Sequence, residues 1–197
     1  MLKKITNPFL YLSDKQLYIV AIASILAAII VSIFLDAKFD GCLDLHFAAK
    51  VTFVETLRNL TTSVLTLSVL LFIAGKMANA NTRFLDILIV VLVSRLALSI
   101  IAFQNLGGYS YAKTSQMQAL LMHAKENISV VAIKLQDFFP FLIFTSIFSI
   151  IGLILFLTVL YNGYKTATNL KSNKHIFMFI TAVIASEIIS KIIFYNF

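Results

Sequence analysis

Charge is scarce in this 197-residue chain: Asp, Glu, Lys and Arg together make up 13% of it. Soluble domains carry about 25%. There is one cysteine, and there are two prolines, six glycines and three histidines. Each scarcity closes off a class. Cys42 alone cannot form an intrachain disulfide, so the fold does not depend on an oxidising compartment. The chain contains no Gly-x-Ser-x-Gly, no His-Glu-x-x-His and no Gly-rich phosphate-binding loop. His46, His123 and His175 all lie outside the apolar runs, which disfavours a haem bundle with two His ligands. No Pro-rich or Gly/Ser-rich linker divides the chain, and no repeat of about 20–50 residues is visible.

What replaces charge is apolar surface. Hydrophobic residues make up 60% of the sequence, and the mean hydropathy is +0.94. A chain of this length builds one core and cannot hide that much apolar surface from water, so the excess faces lipid. A secreted soluble enzyme, a DNA-binding module and a disordered chain are excluded. The expectation is an all-α polytopic membrane protein in one bundle. A span needs about 20 apolar residues, and five runs qualify: 17–35, 59–75, 84–103, 138–161 and 176–195. Residues 1–16 then form a short N-terminal segment and 17–197 the membrane domain. The first run begins late, is long for a signal sequence and lacks a small-x-small cleavage site after it, which reads as an uncleaved anchor.

The net charge of +7 would raise nucleic acid as a partner in a soluble protein. Here it orients the bundle. With the N-terminus inside, segments 1–16, 76–83 and 162–175 hold eight basic residues against Asp14 alone. Segments 36–58 and 104–137 hold six basic residues and six acids over a longer stretch. Basic residues concentrate on the inner side, so the expected place is a bacterial-type inner membrane with the N-terminus cytoplasmic and the C-terminus outside. The expected partners are the bilayer and other membrane proteins or further copies of the chain, with no nucleic acid.

Charges within spans are costly and are functional candidates by default. Arg95 and Glu187 each lie about 12 residues from the inner end of their spans, so both sit about 17 Å deep at about 1.5 Å per residue. They can pair across the bundle, fixing helix register. Alternatively Glu187 pairs with Lys191 one turn along, or the group couples to proton or ion movement. Asp86 can reach the inner interface. A second polar cluster, Asp40, Cys42, Asp44 and His46, follows the first span. An extended strand would aim all four to one side. The plain expectation for 36–47 is a solvated loop turning at Gly41. A metal-dependent site there would require Asp40, Asp44 and His46 to converge within about 5 Å. No cofactor is expected.

Three further features read from spacing. Residues 104–109 suggest a flexible turn, and 115–125 an amphipathic helix on the outer surface. Asn59-Leu-Thr61 and Asn127-Ile-Ser129 match glycosylation sequons by pattern. Small residues recur at helical spacing, in Ser24/Ala28/Ser32, Thr145/Ser149/Gly152 and Ala182/Ser186/Ser190, as helix-packing faces.

Five segments together resemble the bacterial branch of the YIP family, the Ypt/Rab-interacting membrane proteins. They are Asn7-Pro8-Phe9, residues 39–47 (Phe-Asp-Gly-Cys-Leu-Asp-Leu-His-Phe), residues 82–88 (Thr-Arg-Phe-Leu-Asp-Ile-Leu) with Arg95, residues 161–169 (Tyr-Asn-Gly-Tyr-Lys-Thr-Ala-Thr-Asn) and residues 185–191 (Ala-Ser-Glu-Ile-Ile-Ser-Lys). The resemblance implies a five-helix membrane domain with a cytoplasmic N-terminus. Eukaryotic members bind small GTPases through longer N-terminal regions, so that role does not carry over to a chain with about 16 residues ahead of the first run. The expectation is a non-enzymatic structural or interaction protein that self-associates. The competing expectation is a small transporter or channel component built on Arg95 and Glu187. A cavity reaching Glu187 from either side would favour transport, and an enclosed bundle the structural role.

Overall fold

The computed structural model describes residues 2–122, 135–170 and 173–196. A short helix α1 (Leu2–Thr6) and a 3-10 turn (Pro8–Leu10) precede α2 (Asp14–Phe34). A two-residue hairpin, β1 (Ala37–Lys38) with β2 (His46–Phe47), leads into α3 (Phe53–Ala78) and α4 (Phe84–Ile101). A second 3-10 stretch, Ala102–Gly108, joins α4 to α5 (Tyr109–Met122); α6 (Phe139–Thr168) and α7 (Asn173–Asn196) complete the bundle. Five helices are long and apolar enough to cross a membrane. The protein is an all-α, multi-pass helical bundle.

The helix ends follow local chemistry. Ser13 and Gln16 form a capping box at the start of α2. Thr52 and Glu55 form another, with the Thr52 hydroxyl accepting from the Glu55 N–H. That second box starts α3 at Phe53, six residues ahead of the expected span at 59. Residues 53–58 are too polar to count as apolar run but are good helix. At the other end of α6 the chain continues to Thr168 and stops at Asn169, which takes the left-handed conformation (φ 50°).

α4 is the central helix, packed on α2, α3 and α6, while α3 carries α7. The core joins Leu67 and Leu71 of α3, Ile87, Val91 and Leu98 of α4, Phe156 and Leu160 of α6, and Phe179 and Val183 of α7. Two of the three small-residue stripes lie inside the chain, while in the third only Gly152 is buried and Thr145 and Ser149 are part-exposed. Ser24, Ala28 and Ser32 are buried, as are Ala182, Ser186 and Ser190. Without a hydrophobic force between helices in lipid, such close approach is what packing relies on.

Two expectations for the outer connections need correction. Residues 104–109 form a fixed reversal. Asn105 Nδ2 donates to the Leu35 carbonyl at 2.8 Å, the Tyr111 N–H donates to Asn105 Oδ1 at 2.8 Å, and Gln104 Nε2 donates to Ser149 Oγ at 3.1 Å. Polar side chains at this depth find partners in the bundle and order the backbone. The helix expected over 115–125 starts earlier, at Tyr109; residues 123–125 and the sequon at Asn127 lie outside the described residues. Asn59, the other sequon, is 1% exposed within α3, so no glycosyl transferase can reach it in the folded chain.

At the opposite end, Asn162 Nδ2 donates to the Thr6 carbonyl at 2.8 Å, and Phe9 packs against the core. The chain before α2 is thereby tied to α6. A cleft of about 400 Å³ lies beside it, with Asp14, Arg83 and Asp86 among its lining.

Candidate functional site

The segment between α2 and α3 is not a solvated loop. It begins with Asp36 in the left-handed region (φ 47°), which Asp tolerates. The Asp36 carbonyl accepts from the Ala48 N–H, and its Oδ1 accepts from the Val51 N–H. These bonds close the base of the segment, and its middle folds inward. Ala37, Phe39 and Cys42 are fully buried. The Cys42 thiol reaches the carbonyls of Ser63 (3.3 Å) and Ser186 (3.4 Å). Ser63 is ten residues into α3 and Ser186 ten from the end of α7. At about 1.5 Å per residue the tip therefore lies about 15 Å below both helix ends. Non-helical backbone at such depth is tolerated only when protein encloses it, and here α3 and α7 do so.

Glu187 anchors this plug. Its Oε2 accepts the Leu43 N–H at 2.8 Å, and its Oε1 lies 3.5 Å from Lys191 Nζ. Lys191 also bridges to Asp44 at 2.5 Å. A Cβ placed on Gly41 would lie 2.6 Å from Glu187 Oε1, so the carboxylate and the plug meet only because residue 41 has no side chain.

The four candidates of the outer cluster part company. Cys42 points into the bundle, while Asp40, Asp44 and His46 bring ligand atoms within 4.8 Å of one another at the surface. The strand covers only 37–38 and 46–47, so alternation does not hold through Gly41. His46 Nδ1 donates to Asp40 Oδ1 at 2.8 Å, and Nε2 lies 3.7 Å from Asp44 Oδ2. The convergence that a metal site requires is met, with those three residues as its ligands. The Lys191 ammonium already occupies the Asp44 carboxylate, so a divalent ion would have to displace it.

The hydrogen bond to Asp40 raises the His46 pKa; partial burial opposes this, and the charges of Asp40 and Asp44 reinforce it. Burial works against ionisation of Asp44, but the hydrogen bond from Lys191 and the charge of His46 outweigh it and hold that carboxyl below its usual range. The His46 contribution to stability is complete below about pH 6.5 and fades as pH rises through its raised folded value. That of Asp44 is present above about pH 3.8 and fades as pH falls through its lowered folded value. We therefore expect the melting temperature to fall slightly as pH rises above 6.5, and His46→Gln to flatten that slope. Equal slopes in the two proteins would refute this role for His46.

Arg95 and Glu187 do not pair. Glu187 is drawn to the Leu43 N–H and Lys191 at the outer end, leaving the alternative i,i+4 contact with Lys191 in place. Arg95 is 2% exposed, and Nε, Nη1 and Nη2 all lack a hydrogen-bond partner among the described residues. Asn59, also buried, has both side-chain atoms unpartnered. Asn59 escaped sequence reading because it looked like a sequon. Its spacing from Thr56 and Ser63 on one face of α3 is the signal that marks it as interior.

Comparison with known protein families, with curated proteins and with solved structures finds no match.

Proposed function

We propose that this chain is a non-catalytic structural or interaction protein of the inner membrane, related to the YIP type, which works by associating with copies of itself or with other membrane proteins. Its N-terminus is cytoplasmic and its C-terminus extracytoplasmic. The observation that carries the reading is the engagement of Glu187 within the chain, where both carboxylate oxygens meet partners although the side chain is 19% exposed. Glu187 is held under the plug by Leu43 and Lys191, and Arg95 is 2% exposed beside a cleft that opens between α2 and α3 rather than at an end of the bundle. The inner cleft and an outer cleft of about 190 Å³, lined by Lys38, Asp40, His46, Arg58 and Lys191, share no lining residue. A transporter would need a water route to Glu187 or Arg95 from one face. A metal-dependent reaction at Asp40, Asp44 and His46 would need Lys191 to leave. The basic excess of the segments at the α2 start, α3 end and α6 end supports the orientation, and the five resembling segments support the family type.

Two measurements test this. Cross-linking in membranes at low expression should trap homo-oligomers or a defined heteromer, and purified protein in vesicles should conduct no more protons or ions than empty vesicles. A chain that stays monomeric and un-cross-linked at every concentration, or a flux abolished by Glu187→Gln, would replace this reading with the transport one. In a Cys42→Ser background, Lys4→Cys and Tyr195→Cys should label from opposite sides of the membrane; labelling from one side would refute the five-span topology.

A further inference from the structure

We infer that Arg95 is the binding group for a single-chain carboxylate amphiphile, a fatty acid, which enters sideways from the bilayer between α2 and α3. A guanidinium presents five N–H donors, cannot be neutralised, and is expensive to bury without a partner. All three nitrogens of Arg95 lack one among the described residues, although the side chain is 2% exposed. Among the described residues no carboxylate is hydrogen-bonded to it, and Glu187 acts on it only through space. Both oxygens of the Glu187 carboxylate are engaged by Leu43 and Lys191, and Cys42 offers its thiol proton to backbone carbonyls.

Arg95 lines a cleft of about 90 Å³ between α2, α3 and α4, with its three nitrogens behind the wall and each less than 1 Å² exposed. Ile25, Leu57 and Thr61 stand at its mouth on the exposed side of the bundle, and Ala28, Leu60 and Leu92 form its walls. Arg95 and Thr61 are the only polar side chains in its lining. This geometry defines the occupant. The mouth opens towards lipid, so the occupant comes from the bilayer. The apolar walls take methylenes. The fork, turned into the cleft by a change of Arg95 rotamer, takes two oxygens in one plane, the bidentate arrangement that guanidinium makes with carboxylate. A space this narrow admits a carboxylate and its first methylenes, with the tail left among the lipid chains. It does not admit a phosphodiester head with its glycerol. The site does not depend on the interaction role proposed above, since neither its cleft nor its fork belongs to the outer plug.

The test uses the full-length protein in fatty-acid-free detergent with cis-parinaric acid, a fluorescent fatty acid, as the probe. Binding should saturate at one probe per chain. Arg95→Met should weaken it by about tenfold or more, the loss expected for a charge-assisted pair. Thr61→Phe, which closes the mouth at a lipid-facing position, should weaken it comparably without changing the melting temperature. The methyl ester of the probe should fail to compete. Binding that is unsaturable, equal in the wild type and Thr61→Phe, or displaced as well by the ester as by the acid overturns the inference. The Thr61 variant and the ester decide the matter even if Arg95→Met does not fold.

Discussion

Replacing Gly41 by leucine should expose Cys42 to water. In the native chain the thiol is fully buried, so an impermeant maleimide applied from the side the plug faces should label it only during rare openings of the plug. A side chain at position 41 has nowhere to go. Its Cβ alone would sit 2.6 Å from Glu187 Oε1, 2.9 Å from Oε2 and 3.0 Å from the Asp44 Cβ. Displacing the carboxylate strips the Leu43 N–H of its acceptor, and a buried unpaired backbone donor costs about 1–3 kcal/mol. Lys191 would then lose one of its two partners. A loss of about 2 kcal/mol in the closed plug multiplies the open population by about 30, so labelling that takes hours in the native chain should finish in minutes. The Gly41→Leu protein should otherwise keep its helical content, because α2, α3 and α6 pack on α4, and α7 on α3, through contacts of their own. Unchanged labelling would mean that Glu187 does not hold the plug down.

The same residues show where sequence reading succeeds and where it stops. The five spans are legible because each is a continuous apolar run of bilayer length, and lysine and arginine gather at the ends on one side of the bundle. An apolar count places the start of α3 too late because it ignores the Thr52–Glu55 cap, a local signal in the sequence. The plug is a different matter. Residues 36–47 carry three aspartates, a lysine and a histidine, a composition that reads as solvent-exposed. What draws them inward is a set of contacts from α7, about 145 positions away: the Ser186 carbonyl, Glu187 and Lys191. No local pattern encodes those partners. Equal depth made an Arg95–Glu187 pair reasonable, but depth is one coordinate of three. The direction of Glu187 was settled by an N–H from a segment that was expected to lie in water.

Of the glycines, Gly152 leaves the least room for a side chain, so substitution there should produce a large loss of stability. Gly152 lies on α6 where it crosses α4, the most extensive helix pairing in the chain. A Cβ there would lie 2.2 Å from Ile101 Cγ1 and 2.6 Å from its Cδ1, well inside contact distance. Ile101 is buried and β-branched, so few rotamers are open to it. Nor can α4 simply retreat, because its outer end is fixed by the Asn105 bond to Leu35 and the Gln104 bond to Ser149. Gly152→Val should therefore cost about 3 kcal/mol, the upper range for overpacking a core. It should appear as a markedly lower resistance to unfolding in mixed detergent. The cause is steric, which gives the experiment its control. Ile101→Ala alone leaves a cavity and should also destabilise, by about 2–5 kcal/mol. Combined with Gly152→Val it makes room for the new methyls, so the double variant should be more stable than the sum of the two losses implies, with a coupling of at least about 1 kcal/mol. Strict additivity would show that residues 101 and 152 do not touch, and that the α4–α6 crossing is wrongly placed.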